Sequence, residues 1–108
     1  MPTKNFTCAT DAEGYMSNLQ DWSPDVAQQL AAQDDITLPD DHWEIIHFLR
    51  DYYAQYQIAP AMRTLTRKLG TTLGRDKANG RYLYRLFPYG PAKQASRYAG
   101  LPKPPRCL

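Results

Sequence analysis

The chain has two cysteines, Cys8 and Cys107, and the second lies in the segment "GLPKPPRCL", Gly100 to Leu108. A thiol can act as a nucleophile only as its thiolate. The prolines at 102, 104 and 105 remove backbone donors and fix φ. Each also pushes the residue before it toward extended geometry. The spacing therefore predicts a semi-rigid, polyproline-like arm with a mobile tip. Such an arm would carry Cys107 away from the body and into the pocket of another protein. Lys103 and Arg106 favour the thiolate, and the terminal carboxylate beyond Leu108 opposes it. Solvent screens both effects, so an exposed thiol stays near its ordinary pKa of ~8.5. Much of the activation must then come from the partner's pocket.

The other chemistry-bearing residues suggest less. Cys8 falls in "NFTCA", which reads as a strand, and is expected to be a small buried residue. His42 and His47 are five apart, one more than the spacing that places two ligands on one helix face. With no CxxC motif and no third partner in view, they are expected at the surface or its boundary, with no metal and no catalytic role. No cofactor is implied. Two cysteines make no disulfide framework, which points to reduced thiols in the cytoplasm. No apolar run reaches the ~18 residues of a membrane span. The N-terminus lacks the cationic head and apolar stretch of a secretory signal.

Charge is sharply divided. Residues 1–51 hold ten acids and two bases, a net −8, and residues 52–108 hold one acid and eleven bases, a net +10. No acid follows Asp76. A basic half of this kind suits nucleic acid or an acidic protein. Alternatively, the two halves fold onto each other and partly neutralise. The expected partner-docking cations are Arg63, Arg67, Lys93, Arg97, Lys103 and Arg106.

The elements that must position these groups follow from periodicity. The 108 residues, 43% hydrophobic, suit a single domain, 1–108, with an arm from about 100. "NFTCA" and "GYMSNL" flank the turn "TDAEG" as a hairpin. Ser23 caps a helix opened by Pro24, with Val26 and Leu30 inward. "DDITLP" reads as an extended link or third short strand ending at Pro39. Asp40 or Asp41 caps the strongest helix, whose stripe runs through Trp43, Ile46, Leu49, Tyr53 and Tyr56. A helix over "APAMRTLTRKLG" turns Met62, Leu65 and Leu69 inward and Arg63, Arg67 and Lys68 outward, with Gly70 closing it. "DKANGRYLYRLFP" forms a short helix. "GPAKQASRYAG" forms the last, opened by Pro91 and closed by Gly100. The pair "MRTLTRKLG" and "RYLYR" also fits a helix-turn-helix that reads DNA.

"LFPYGPAKQASRYAGLPKPPRCL" resembles the C-terminal signature of the DsrC/TusE family of sulfur-relay proteins. The resemblance continues upstream through Glu13-Gly14-Tyr15, Asp21-Trp22, His42-Trp43, Arg50, Tyr52-Tyr53, Pro60 and Arg63. It implies an α+β fold, a small three-stranded antiparallel meander packed against about five helices, with a flexible Pro-rich C-terminal arm. It implies that Cys107 carries sulfur as a persulfide, with no metal or organic cofactor. Family members of the DsrC kind have a second cysteine eleven residues earlier and work with dissimilatory sulfite reductase. Here that position is Ser96, and a hydroxyl does no disulfide chemistry. The resemblance is therefore to the single-cysteine TusE-like branch. It implies a TusBCD-like complex as sulfur donor and a tRNA thiouridylase as acceptor, which brings in tRNA indirectly. In such a relay the chain is both sulfurtransferase and carrier. The alternatives are a DsrC-like partner of dissimilatory sulfur metabolism and the helix-turn-helix DNA-binding protein.

Overall fold

A computed structural model describes residues 10–11 and 13–105. The first limb of the expected hairpin, with Cys8, and the tip of the arm, with Arg106, Cys107 and Leu108, lie outside the described residues. Five α-helices follow in order: α1 Pro24–Gln33, α2 Asp40–Tyr56, α3 Met62–Thr72, α4 Gly80–Leu86 and α5 Pro91–Tyr98. Single 3-10 turns cover Leu19–Asp21 and Arg75–Lys77.

The three-stranded meander is not found among the described residues. Its remnant is one antiparallel bridge between Thr10 and Met16, so the described fold is helical rather than α+β. The physical reasons are local. The turn itself forms as expected: Asp11 Oδ1 accepts from the Glu13 and Tyr15 amides, and Gly14 takes φ +89°. "GYMSNL" does not continue as a strand, because the Asn18 side chain caps a 3-10 turn and accepts from the Gln20 amide. "DDITLP" is not a strand because its first residues terminate α1. Asp35 sits in the left-handed region at φ 60°. Its amide donates to the Ala32 carbonyl and that of Ile36 to the Ala31 carbonyl, the double closure of a Schellman motif.

The helix starts largely follow their sequence signals. Ser23 Oγ accepts from the Val26 amide ahead of α1, and Asn79 caps α4. For α2 the cap position is Pro39, and Asp40 and Asp41 occupy the first turn, where acids favour the positive helix end. Gly70 does not end α3, which runs on to Thr72. Helix α5 packs against α1, α2, α3 and α4. Six of its eight residues are buried, including Ala92, Ala95, Ser96 and Tyr98. Its small side chains let the surrounding Leu30, Ile45, Leu49, Leu65 and Leu83 close around it as one core.

His42 departs from expectation. It is 7% exposed, its Nε2 lies 2.7 Å from the Leu86 carbonyl, and its ring meets Phe87 edge-on. A carbonyl only accepts, so Nε2 carries the proton. Buried histidine thus joins α2 to the end of α4. His47 is exposed and stacks on Trp43.

Candidate functional site

The arm begins where α5 ends, and this junction is held on several sides. Gly100 takes φ +76°. The Gly100 amide donates to the Arg97 carbonyl and the Leu101 amide to the Ser96 carbonyl, a second Schellman closure. A Cβ on Gly100 would lie 2.5 Å from the Trp22 ring. Glycine is therefore required for both its conformation and the space.

Two remaining carbonyls at this helix end are held by distant side chains. Trp22 Nε1 donates to the Tyr98 carbonyl at 2.8 Å, and Arg50 Nη1 donates to the Ala99 carbonyl at 2.7 Å. The Arg50 guanidinium also lies over the Trp22 ring, 3.9 Å from its centroid. Burial lowers the Arg50 pKa from its ordinary value. Its cation remains charged and faces the negative end of α5, where a positive group stabilises. Trp22 and Arg50 thus fix the direction in which the chain leaves the body.

A second network holds the buried Gln94 and Tyr98 side chains of α5. The Tyr89 amide donates to Gln94 Oε1, and Gln94 Nε2 donates to the Tyr98 hydroxyl. That hydroxyl donates to Asp34 Oδ2 at 2.6 Å, and Arg97 pairs with the same oxygen. Burial first, then the bond to the Asp34 carboxylate, push the Tyr98 phenol well above its ordinary pKa.

Beyond Gly100 there is no regular structure through Pro105, as the prolines require. The first part of the arm is nevertheless anchored, not free. Leu101 is 2% exposed and joins the core. Pro104 is buried. Lys103 Nζ pairs with Glu13 Oε2 at 2.9 Å. Lys103, Pro104 and Pro105 form one wall of an open groove of about 750 Å³, completed by Met62, Tyr84, Tyr89 and Lys93. Tyr84 and Tyr89 are 52% and 67% exposed. Cys107 is two residues past Pro105 in the sequence.

The structure divides the expected docking cations. Lys93 and Lys103 line the groove beside the arm. Arg97 is instead half-buried and turned to Asp34. Arg63 and Arg67 line a different groove with Arg75. Arg106 is outside the described residues. Ser96 is fully buried, with no partner for its Oγ among the described residues. Trp22, Arg50, Asp34 and Gln94 had no assigned role in the residue-by-residue reading. An arginine inside the apolar run "HFLRDYY" was the available signal for one of them.

Comparison with known proteins places these features. The family described as DsrC like protein matches residues 3–108. Sulfurtransferase TusE of Sodalis glossinidius (strain morsitans) is 52% identical over 100 residues, which cover 93% of each chain. Sulfurtransferase TusE of Escherichia coli (strain K12) is 46% identical over 99 residues, 92% of this chain and 91% of that protein. Among solved structures, the NMR structure of Allochromatium vinosum DsrC superposes with a TM-score of 0.85 at 60% identity, covering 94% of this chain and 90% of that one. The oxidized gamma-subunit of the dissimilatory sulfite reductase (DsrC) from Archaeoglobus fulgidus gives 0.79 at 40% identity, covering 94% and 92%. Family, curated relatives and solved structures agree over nearly the whole chain, and the chain belongs to the DsrC-like protein family.

Proposed function

We propose that the chain is a sulfur-relay protein whose Cys107 accepts persulfide sulfur and passes it on, toward 2-thiouridine synthesis in tRNA. The observation that carries the single-thiol form of this reading is the junction before the arm. There Ser96 stands buried where a second thiol would be needed, while Gly100, Trp22 and Arg50 hold the chain that leads to the one arm cysteine.

The chemistry needs no oxidant. The Cys107 thiolate attacks the terminal sulfur of a donor persulfide. A new S–S bond forms at Cys107, the donor's S–S bond breaks, and the donor leaves as a thiolate that takes up the proton Cys107 gave up. An acceptor thiolate then attacks the terminal sulfur of the Cys107 persulfide, and Cys107 departs as thiolate. Each step moves one sulfur between thiols and leaves the overall oxidation level unchanged.

The donor in this reading is a TusBCD-like complex and the acceptor a tRNA thiouridylase, both cytoplasmic. No helix among the described residues is long and apolar enough to cross a membrane. Lys93, Lys103 and Arg106 meet acidic surface on these partners, and Tyr84 and Tyr89 supply exposed aromatic contact beside them. The 60% identity with a DsrC favours a second reading, a partner in dissimilatory sulfur metabolism. It differs from the first in its partners, because Ser96 removes the two-thiol disulfide in either case.

Intact mass after incubation with a persulfide donor tests the assignment. The chain gains one sulfur mass. Cys107→Ser abolishes the gain and Cys8→Ser leaves it. A gain that survives Cys107→Ser and vanishes with Cys8→Ser refutes it.

A further inference from the structure

Two grooves among the described residues differ in chemistry. The one beside the arm has Met62 and two exposed tyrosines, the anchors a protein partner uses. The other, about 860 Å³, runs along α3 to the turn after it. Its walls carry Arg63, Arg67 and Arg75, with Thr66 and Asn79 between them and Gly70 in its lining. No acid, aromatic or large aliphatic side chain lines it. Arg63 and Arg67 are one helical turn apart, about 5–6 Å between Cβ atoms. All three arginines are exposed. None of the three guanidinium groups has an ion pair or hydrogen bond among the described residues, whereas Lys77, Arg97 and Lys103 each have a carboxylate. Asp76, the one acid of the basic half, is not part of the lining.

We propose that this arginine groove binds the phosphate backbone of RNA, so that the relay protein itself touches the tRNA whose modification it serves. Arginine suits phosphate by its planar, multi-donor fork, and contacts to phosphate need no apolar anchor. An acidic protein would also be attracted, but this groove offers no side chain to fill a pocket on it. The placement fits the relay. Met62 belongs to the arm's groove and Arg63 to the arginine groove, so the two sites adjoin at the start of α3. The proposal takes the choice of tRNA from the sulfur-relay reading.

The test titrates the full chain against a labelled, unmodified tRNA transcript at two salt concentrations, about 50 and 200 mM. Three neutralised phosphates predict an affinity loss of roughly 20- to 40-fold over that range. Arg63→Ala/Arg67→Ala/Arg75→Ala should weaken binding at least about tenfold and flatten the salt dependence, while Arg81→Ala, at an exposed cation outside both grooves, leaves both nearly unchanged. Thermal melts confirm that the triple variant is folded, as expected for exposed positions. Persulfide loading of Cys107 from a small-molecule donor is read in parallel, so that failure of the relay is seen separately from failure of the groove. Wild-type affinity in the triple variant overturns the proposal. So does tighter binding of duplex DNA of equal length, which is the helix-turn-helix outcome. Displacement of the tRNA by polyglutamate at equal charge also overturns it, since the groove would then be a general acid-binding surface.

Discussion

Gly100 is the residue on which the arm turns, and its replacement has a calculable cost. Alanine in the left-handed region costs about 1–2 kcal/mol, and its Cβ would also drive into the Trp22 ring at 2.5 Å. Gly100→Ala is expected to lower the unfolding free energy by about 2 kcal/mol or more in urea titration, and an unchanged midpoint would contradict the packing described. Tyr98 gives a pH prediction. Its folded pKa is raised above the unfolded value of 10.0, so the folded state favours the neutral phenol. That contribution is complete below pH ~10 and is lost as pH rises through the folded pKa. Tyr15 and Tyr82 are raised too, each chiefly by burial. Stability should therefore fall above pH ~10, and Tyr98→Phe should flatten that fall in equilibrium unfolding. Gly100 and its role as a helix stop were legible from "GPAKQASRYAG", in which Pro91 can open a helix and Gly100 close it. The spacing of His42 and His47 tests for a metal or catalytic pair and says nothing of burial. Yet His42 lies three residues before Ile45, four before Ile46 and seven before Leu49, in register with the buried stripe. A histidine ring that can satisfy a carbonyl is tolerated on that face.

At the scale of elements, α5 and its exit depend on side chains from far away in sequence. Trp22 comes before α1 and Arg50 sits in α2. Trp22→Phe keeps an aromatic side chain, though a smaller one, and deletes the donor to the Tyr98 carbonyl, at a cost of about 1–3 kcal/mol for the unpaired group. Arg50→Ala removes the bond to Ala99 and the cation over the indole. Both variants should accept sulfur from a small-molecule persulfide donor at the wild-type rate. They should be several-fold slower toward a protein acceptor, because only the second reaction needs a fixed arm direction. Equal rates toward the protein acceptor would show that the arm root does not aim Cys107. The five helices could be read from periodicity and caps because those signals are local. The strands not found among the described residues show the limit of that method. "GYMSNL" reads as a strand only by its place after the turn, but Asn18 prefers to cap, and "DDITLP" is drawn into the closure of α1 by Asp35. The anchoring of Leu101 and Pro104 was equally hidden, since proline content sets backbone shape without saying what the segment packs on.

Across the whole molecule, the opposed charge of the two halves is partly folded away. Each described ion pair joins an acid of the first half to a base of the second: Glu44 to Lys77, Asp34 to Arg97 and Glu13 to Lys103. Glu13–Lys103 is exposed, so it contributes only about 0–1 kcal/mol, but it holds the arm's base near the Asp11–Tyr15 turn. Glu13→Gln should leave the melting temperature nearly unchanged while making the Lys103 backbone more exchangeable in hydrogen–deuterium exchange. Unchanged protection would mean that Leu101 and Pro104 alone anchor the arm. Of the described second-half cations outside these pairs, Arg63, Arg67, Arg75 and Lys93 line the two grooves, and Lys68, Arg81 and Arg85 lie outside them. Charge counting could suggest a basic surface, but only the fold could divide it into one groove with aromatic anchors and one without. The central claim is that sulfur passes through Cys107 and no other atom of this chain. Its most direct test is a single-turnover chase of isotopically labelled sulfur from a donor persulfide, through the chain, to an acceptor thiol. The account predicts that label appears first on the Cys107 peptide, then leaves it as the acceptor gains label, with the same course in Cys8→Ser. An acceptor that gains label equally fast when the chain carries Cys107→Ser would contradict it.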